Sequence, residues 1–239
     1  MEKLIMKSKC FYLVAGGLLL MSTAANAGLS ATVTATSDYT FNGVSQTDNG
    51  PALQGSLDYG FDSGWYVGGF TSNVDFGGSD DTWLELDAYA GKYFQLNKQL
   101  SLDVGLAYYT YHGDSFSDEY NYPELYSKLG YDTSLGHSEA KLTYTWDYFG
   151  LGGGHYTMLL GHTISVAEGH DIRFSVDRST SLDEDKWSWD GGKSFNHFRV
   201  AYMTSWSGFD FSLAAEDTSM NLDTSDERLV LSVSRQFML

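Results

Sequence analysis

Carboxylates recur at alternate positions in several stretches of the chain, and that spacing gathers them on one face of an extended segment. Asp38, Asp58, Glu85, Asp87, Asp103, Glu124, Glu139, Asp147 and Asp177 share the polar parity of their stretches, and Lys128, Lys141, Arg173 and Arg199 join them. Charged rings along an enclosed path select ions by sign, so a lining dominated by acids would favour cations. The same residues could instead pair as salt bridges that fill a closed interior. Both readings make these residues the candidate lumen lining of one structure.

Other groups offer less. His162 shares parity with Tyr156, Met158, Leu160, Ile164 and Val166, so it belongs to an apolar face. A lipid hydrolase would need that histidine as base, a serine nucleophile and an orienting polar group close together. Ser138 and Ser194 share its face but at different expected depths, and an interfacial histidine is the simpler account. The acidic segments Asp80-Asp81, Asp114, Asp118-Glu119 and Asp183-Glu184-Asp185 lack the ordered spacing of a calcium loop and read as solvated loops. No P-loop, G-x-G-x-x-G or G-x-S-x-G motif occurs. No catalytic residue, cofactor or metal is assigned, and the chain is not expected to be an enzyme.

The elements that must hold the lining are strands. In the first stretch, Leu29, Ala31, Val33, Ala35, Tyr39 and Phe41 fall on one face, and Ser30, Thr32, Thr34, Thr36, Asp38, Thr40 and Asn42 on the other. Such alternation is the signature of a strand with two unlike faces. Its length exceeds the ~5–6 residues of an ordinary strand and suits the ~9–11 tilted residues that cross a bilayer. Twelve strands are expected near 29–44, 51–61, 65–76, 82–94, 99–111, 122–132, 137–149, 155–167, 171–179, 193–205, 208–217 and 226–239. Ten or fourteen remain open, because 171–179 and 208–217 are weakly patterned. Short turns alternate with longer, acidic or Gly-rich connections, as in an outer-membrane barrel with periplasmic turns and outer loops. Aromatics gather near strand ends: Tyr39, Phe41, Tyr144, Trp146, Tyr148 and Tyr156 on one side, Tyr59, Phe61, Phe94, Tyr131 and Trp206 on the other. They are expected as interfacial girdles. A soluble sandwich or lipocalin-like barrel would also alternate, with its apolar face inward. Strand length, girdles and turn asymmetry favour an all-β, antiparallel, up-and-down transmembrane barrel over residues 28–239, with both ends periplasmic.

Residues 1–27 read as a cleaved signal peptide. Lys3, Lys7 and Lys9 precede an apolar run from Phe11 to Met21, and Ala25-Asn26-Ala27 is a small-x-small cleavage site. The apolar run is too short for the ~20 residues of a spanning helix. Cys10, the sole cysteine, falls in this leader, so the mature chain can form neither disulfides nor thiolate metal sites. The net charge of −17 over 239 residues argues against nucleic acid, which calls for a basic footprint. Expected partners are outer-membrane lipid and lipopolysaccharide, with periplasmic chaperones and the barrel-assembly machinery on the way. The sequence specifies no oligomeric state.

The segment from Thr36 to Thr47, containing Ser37-Asp38-Tyr39-Thr40-Phe41-Asn42-Gly43, resembles the N-terminal signature of the TorF porin family. So do Pro51 to Tyr59, Gly64 to Gly68, Ser72 to Phe76 and Glu85 to Gly91; Tyr122 to Tyr126 resembles a later element. Members of that family commonly carry Arg where this chain has Asn42. The resemblance implies a bacterial outer-membrane barrel of porin type and supplies no solute and no catalytic residue. The function expected of it is passive diffusion of small solutes, with some preference for cations. The alternatives are an outer-membrane lipid hydrolase and a closed structural or adhesive barrel that acts through its loops.

Overall fold

The computed structural model describes residues 28–239; the expected leader lies outside them. Twelve strands follow in chain order: β1 (Gly28–Thr36), β2 (Ala52–Gly60), β3 (Trp65–Asn73), β4 (Leu84–Gln95), β5 (Leu100–His112), β6 (Tyr122–Thr133), β7 (Gly136–Thr145), β8 (His155–Ala167), β9 (His170–Ser181), β10 (Ser194–Trp206), β11 (Phe209–Thr218) and β12 (Arg228–Met238). Each pairs antiparallel with its sequence neighbours, and β12 returns to β1 through pairs such as Ser30 with Met238 and Thr36 with Ser232. Closure removes every free edge, which is the condition for placing strands in lipid. The two stretches with weak patterning, near 171–179 and 208–217, are full strands, which fixes the number at twelve.

The apolar parity faces outward. Leu57, Leu86, Leu106, Leu125, Leu160 and Leu231 are between 44% and 62% exposed, whereas their polar neighbours Glu85, Asp87, Asp103, Glu124, Ser232 and Ser234 are buried. A soluble barrel would show the reverse, and an apolar belt of this extent would be an aggregation surface in water. The strands are joined by short turns at one end (61–64, 96–99, 134–135, 168–169, 207–208) and longer loops at the other, and both ends of the described chain lie at the short-turn end. Trp65, Tyr59, Phe61, Phe94, Tyr131 and Trp206 stay on the outer wall at that end, and Tyr144 and Trp146 at the loop end.

Three expectations near the loop end change. β1 stops at Thr36 instead of running to residue 44, β3 stops at Asn73, and β7 stops at Thr145. Tyr39, Phe41 and Tyr148 therefore leave the girdle: Tyr39 and Tyr148 are buried inside the mouth, 4% and 2% exposed, and Phe41 is half-buried against Tyr109.

Candidate functional site

After β1 the chain turns inward. Thr40–Phe41 pairs with Val44–Ser45 around Asn42 and Gly43, whose φ values of 50° and 82° are those of a two-residue type I′ turn. This hairpin is inserted into the lumen and makes contact across it. Asn42 reaches Thr157 on β8 at 3.4 Å, Phe41 packs edge-on against Tyr109 on β5, and Gly43 lies against His197 on β10 and Thr218 on β11. A Cβ at Gly43 would come within 2.6 Å of both side chains, so this close approach needs glycine. Asp38 anchors the hairpin's base: it accepts from Arg228 at 2.7 Å, Ser45 at 2.6 Å and Thr47 at 3.1 Å.

Around the hairpin the loop end of the lumen is aromatic. Tyr109 stacks on Tyr122 at 4.6 Å, Tyr148 on His155 at 4.1 Å, and Trp189 meets Phe195 edge-on at 4.7 Å. Tyr148 and Phe149 arrive on a one-turn 3-10 helix (Tyr148–Gly150), and Trp187 and Trp189 on the loop between β9 and β10. The loops between β3 and β4 and between β5 and β6 are tied by Tyr120, which donates to Asp80 at 2.7 Å. Burial tends to raise the Asp80 carboxyl, but hydrogen bonds from Thr82 and Tyr120 outweigh it and hold it below its ordinary value. The same bond to Asp80 pushes the Tyr120 phenol up to about 12.

Among and below these aromatic side chains the charges divide into two groups. Each lumenal arginine has an acid: Arg173 with Glu139 at 2.5 Å, Arg199 with Glu216 at 3.4 Å, Arg228 with Asp38 at 2.7 Å. His197 lies between Asp177 at 2.7 Å and Glu216 at 3.7 Å. On the opposite wall Glu85, Asp87 and Glu124 are at most 4% exposed, and among the described residues no Lys, Arg or His lies within ion-pair distance of them. Tyr111 donates to Glu85 at 3.4 Å and Tyr109 to Glu124 at 3.1 Å, but neither oxygen of Asp87 has a hydrogen-bond partner. Burying carboxylates without cations beside them is costly.

Nearer the short turns, tyrosines hold the remaining acids. Tyr66 donates to Asp103 at 2.6 Å and contacts the Tyr126 hydroxyl at 2.5 Å, while Tyr89 donates to Asp58. These rings lie over lumen-facing glycines: a Cβ at Gly91 or Gly105 would overlap the hydroxyls of Tyr66 and Tyr126. Lys128 is register partner to both Asp103 and Lys141, which puts the two lysines beside this network.

Eleven of the thirteen expected lining residues thus come from strands and face inward: Asp58, Glu85, Asp87, Asp103, Glu124, Lys128, Glu139, Lys141, Arg173, Asp177 and Arg199. Asp38 faces the lumen from the hairpin, not from β1. Asp147 is a correction: β7 ends before it, and it sits in a loop, accepting from the Gly152 amide at 2.7 Å. Glu216 and Arg228 belong to the lining and were not expected there; His197, which shares the lumen parity of Arg199, belongs to it too but was not among the expected lining residues. On the outer wall, His162 faces away from the lumen as expected, but Ser138 is its direct register partner, not a residue at another depth; their side chains meet at 2.9 Å. Among the described residues no carboxylate or carboxamide orients this imidazole, and no group of acids and histidines converges as a metal site.

The sequence pattern of a family described as bacterial protein of unknown function, Gcw_chp, matches residues 21–206. The chain belongs to the Gcw_chp family. The match does not carry the TorF name, while the barrel that the TorF resemblance implied is present. No curated protein matches this Gcw_chp chain. Among solved structures it is similar to the KdgM porin, with TM-score 0.59, 11% identity and coverage of 88% of this chain and 99% of that chain. It is also similar to the NanC porin, with TM-score 0.57, 10% identity and coverage of 89% and 100%. An outer membrane channel from Pseudomonas putida F1 gives TM-score 0.58, 11% identity and coverage of 90% and 97%. At such identities the likeness is one of fold.

Proposed function

We propose that this Gcw_chp protein is a non-enzymatic channel of the bacterial outer membrane, exported by its leader, through which small solutes diffuse with a preference for cations. The observation that carries the proposal is the unequal pairing of lumenal charge. The arginines are neutralised locally by Glu139, Glu216 and Asp38, so their field is short-ranged. Among the described residues, by contrast, Glu85 and Asp87 have no ion-pair partner and Glu124 has only Lys141, beyond ion-pair distance. Salt screens such a field over about 8–10 Å, so the preference is expected to weaken at high ionic strength. The outer-membrane porins with the same fold support the location and the transport role. Purified protein in a planar bilayer tests it: discrete conductance steps are expected, and a silent bilayer contradicts the channel.

A closed barrel acting through its loops is the second reading, favoured by the hairpin and aromatic layer that narrow the outer mouth. Twelve strands fall between the ~8 that side chains fill and the ~16 that leave an aqueous path, so strand number does not separate the two. The Ser138–His162 pair keeps a lipid hydrolase on the table as a third reading. Hydrolysis of vesicle phospholipid that disappears in His162→Ala would favour it over the channel.

A further inference from the structure

Two basic side chains on the outer wall repeat one arrangement. Lys92 is the fourth residue from the end of β4, with Phe94 two positions on and Trp65, the first residue of β3, beside it in register. Its ammonium lies 5.0 Å from the Trp65 ring and 5.1 Å from the Phe94 ring. Arg235 is likewise fourth from the end of β12, with Phe237 two positions on and Phe209, the first residue of β11, alongside. Its guanidinium lies 4.9 Å from Phe209 and 5.3 Å from Phe237. Both share parity with outward leucines, and all four rings are themselves exposed, from 36% to 53%. Among the described residues neither cation has a carboxylate within ion-pair distance. Arg178, also on this wall but near the loop end, differs: it donates to Asn196 at 2.9 Å and to Ser194.

Ring faces attract a cation but accept none of its hydrogen bonds fully, and they leave its charge in place. In a chain with 31 acids and 14 bases, two cations left without acids on an apolar wall are conspicuous. At the rim of a membrane barrel, the group within reach of a snorkelling cation is a lipid phosphate. The aromatic pair then serves as a floor that fixes the head of Lys92 or Arg235 at headgroup depth and packs the glycerol and upper acyl chain. We propose that Lys92 with Trp65 and Phe94, and Arg235 with Phe209 and Phe237, are two equivalent sites for anionic glycerophospholipid in the leaflet at the short-turn end. A zwitterionic choline headgroup carries its own cation close to the phosphate and fits less well.

The inference rests on the barrel being membrane-embedded, and the test separates the two. The full-length mature protein is offered vesicles of phosphatidylcholine alone, then its detergent complex is mixed with phosphatidylglycerol or phosphatidylcholine and examined by native mass spectrometry. Insertion into phosphatidylcholine vesicles supports the embedded reading by itself; failure to insert into any vesicle overturns both. For the sites, up to two phosphatidylglycerol adducts that resist activation are expected on the wild type, one on Lys92→Gln or Arg235→Gln, and none on the double variant. Lys98→Gln, in a short turn without flanking rings, should keep both. Equal retention of the two lipids by the wild type overturns the sites without requiring any variant to assemble, and an unchanged adduct number in the double variant does the same.

Discussion

Asp38 and Arg228 form the buried pair that holds the inward hairpin to β12, 7% and 11% exposed at the side chain. Removing one partner of such a pair strands the other charge, at a cost of about 3–5 kcal/mol. Asp38→Ala is therefore expected to loosen the hairpin and raise single-channel conductance, with Asp38→Asn giving a smaller change because it keeps acceptors for Ser45 and Thr47. Equal conductance in wild type and Asp38→Ala would show that the pair does not restrain the hairpin. Asp80 and Tyr120 make a different, half-buried contact with a pH window. The Asp80 value is lowered on folding, so its contribution is present above the unfolded carboxylate range and lost as pH falls through the folded value; the Tyr120 value is raised, so its contribution is complete below about 10 and lost as pH rises through about 12. Hydrogen exchange in loops 74–83 and 113–121 should be slowest between those limits, and a flat profile would remove the bond from the account. Most lining residues were legible because a two-residue period assigns each strand position a face. Asp147 was misplaced because the count was carried past the end of β7. Glu216 was missed because Glu216-Asp217 puts an acid on both parities of β11.

At the scale of elements, the hairpin is the feature with most bearing on the width of the lumen, and its signal was present in the sequence. Asn-Gly between Phe41 and Val44 is a strong two-residue turn pattern, but the alternation that precedes it continues through Thr40, so the stretch reads as one long strand. Only the structure shows that the chain leaves the wall at Ser37, donating its amide to Leu231 before turning inward. Gly43→Val would combine a disfavoured positive φ with overlap against His197 and Thr218. The variant should expel the hairpin, raising conductance several-fold while the folded barrel keeps its heat-modifiable migration. Unchanged conductance in a correctly assembled variant would mean that the hairpin does not limit the path. The aromatics of loops 146–154 and 182–193 were not legible as a lid, because girdle and lid draw on the same residue types.

For the whole molecule, closure depends on the β1–β12 seam. Gln236, Phe237 and Met238 pair with Thr32, Ala31 and Ser30, and the Leu239 amide donates to the Leu29 carbonyl at 2.9 Å. Deleting Gln236 to Leu239 opens the short-turn end of that seam and exposes unpaired backbone where lipid cannot satisfy it. Loss of heat-modifiable migration and of membrane insertion is expected; normal assembly would place closure elsewhere. The outward apolar wall and the turn asymmetry were readable beforehand because they repeat on every strand. The choice of twelve strands over ten or fourteen needed the structure, since 171–179 and 208–217 are weakly patterned. The distribution of charge within the lumen was not readable either, since it depends on which residues meet across strands. That distribution is best tested by the reversal potential of the purified channel under a KCl gradient. The account predicts a sign showing K⁺ more permeant than Cl⁻, shrinking as salt rises and moving toward anions in Glu85→Lys/Asp87→Lys. A conducting wild-type channel that is unselective or anion-selective at low salt would contradict it.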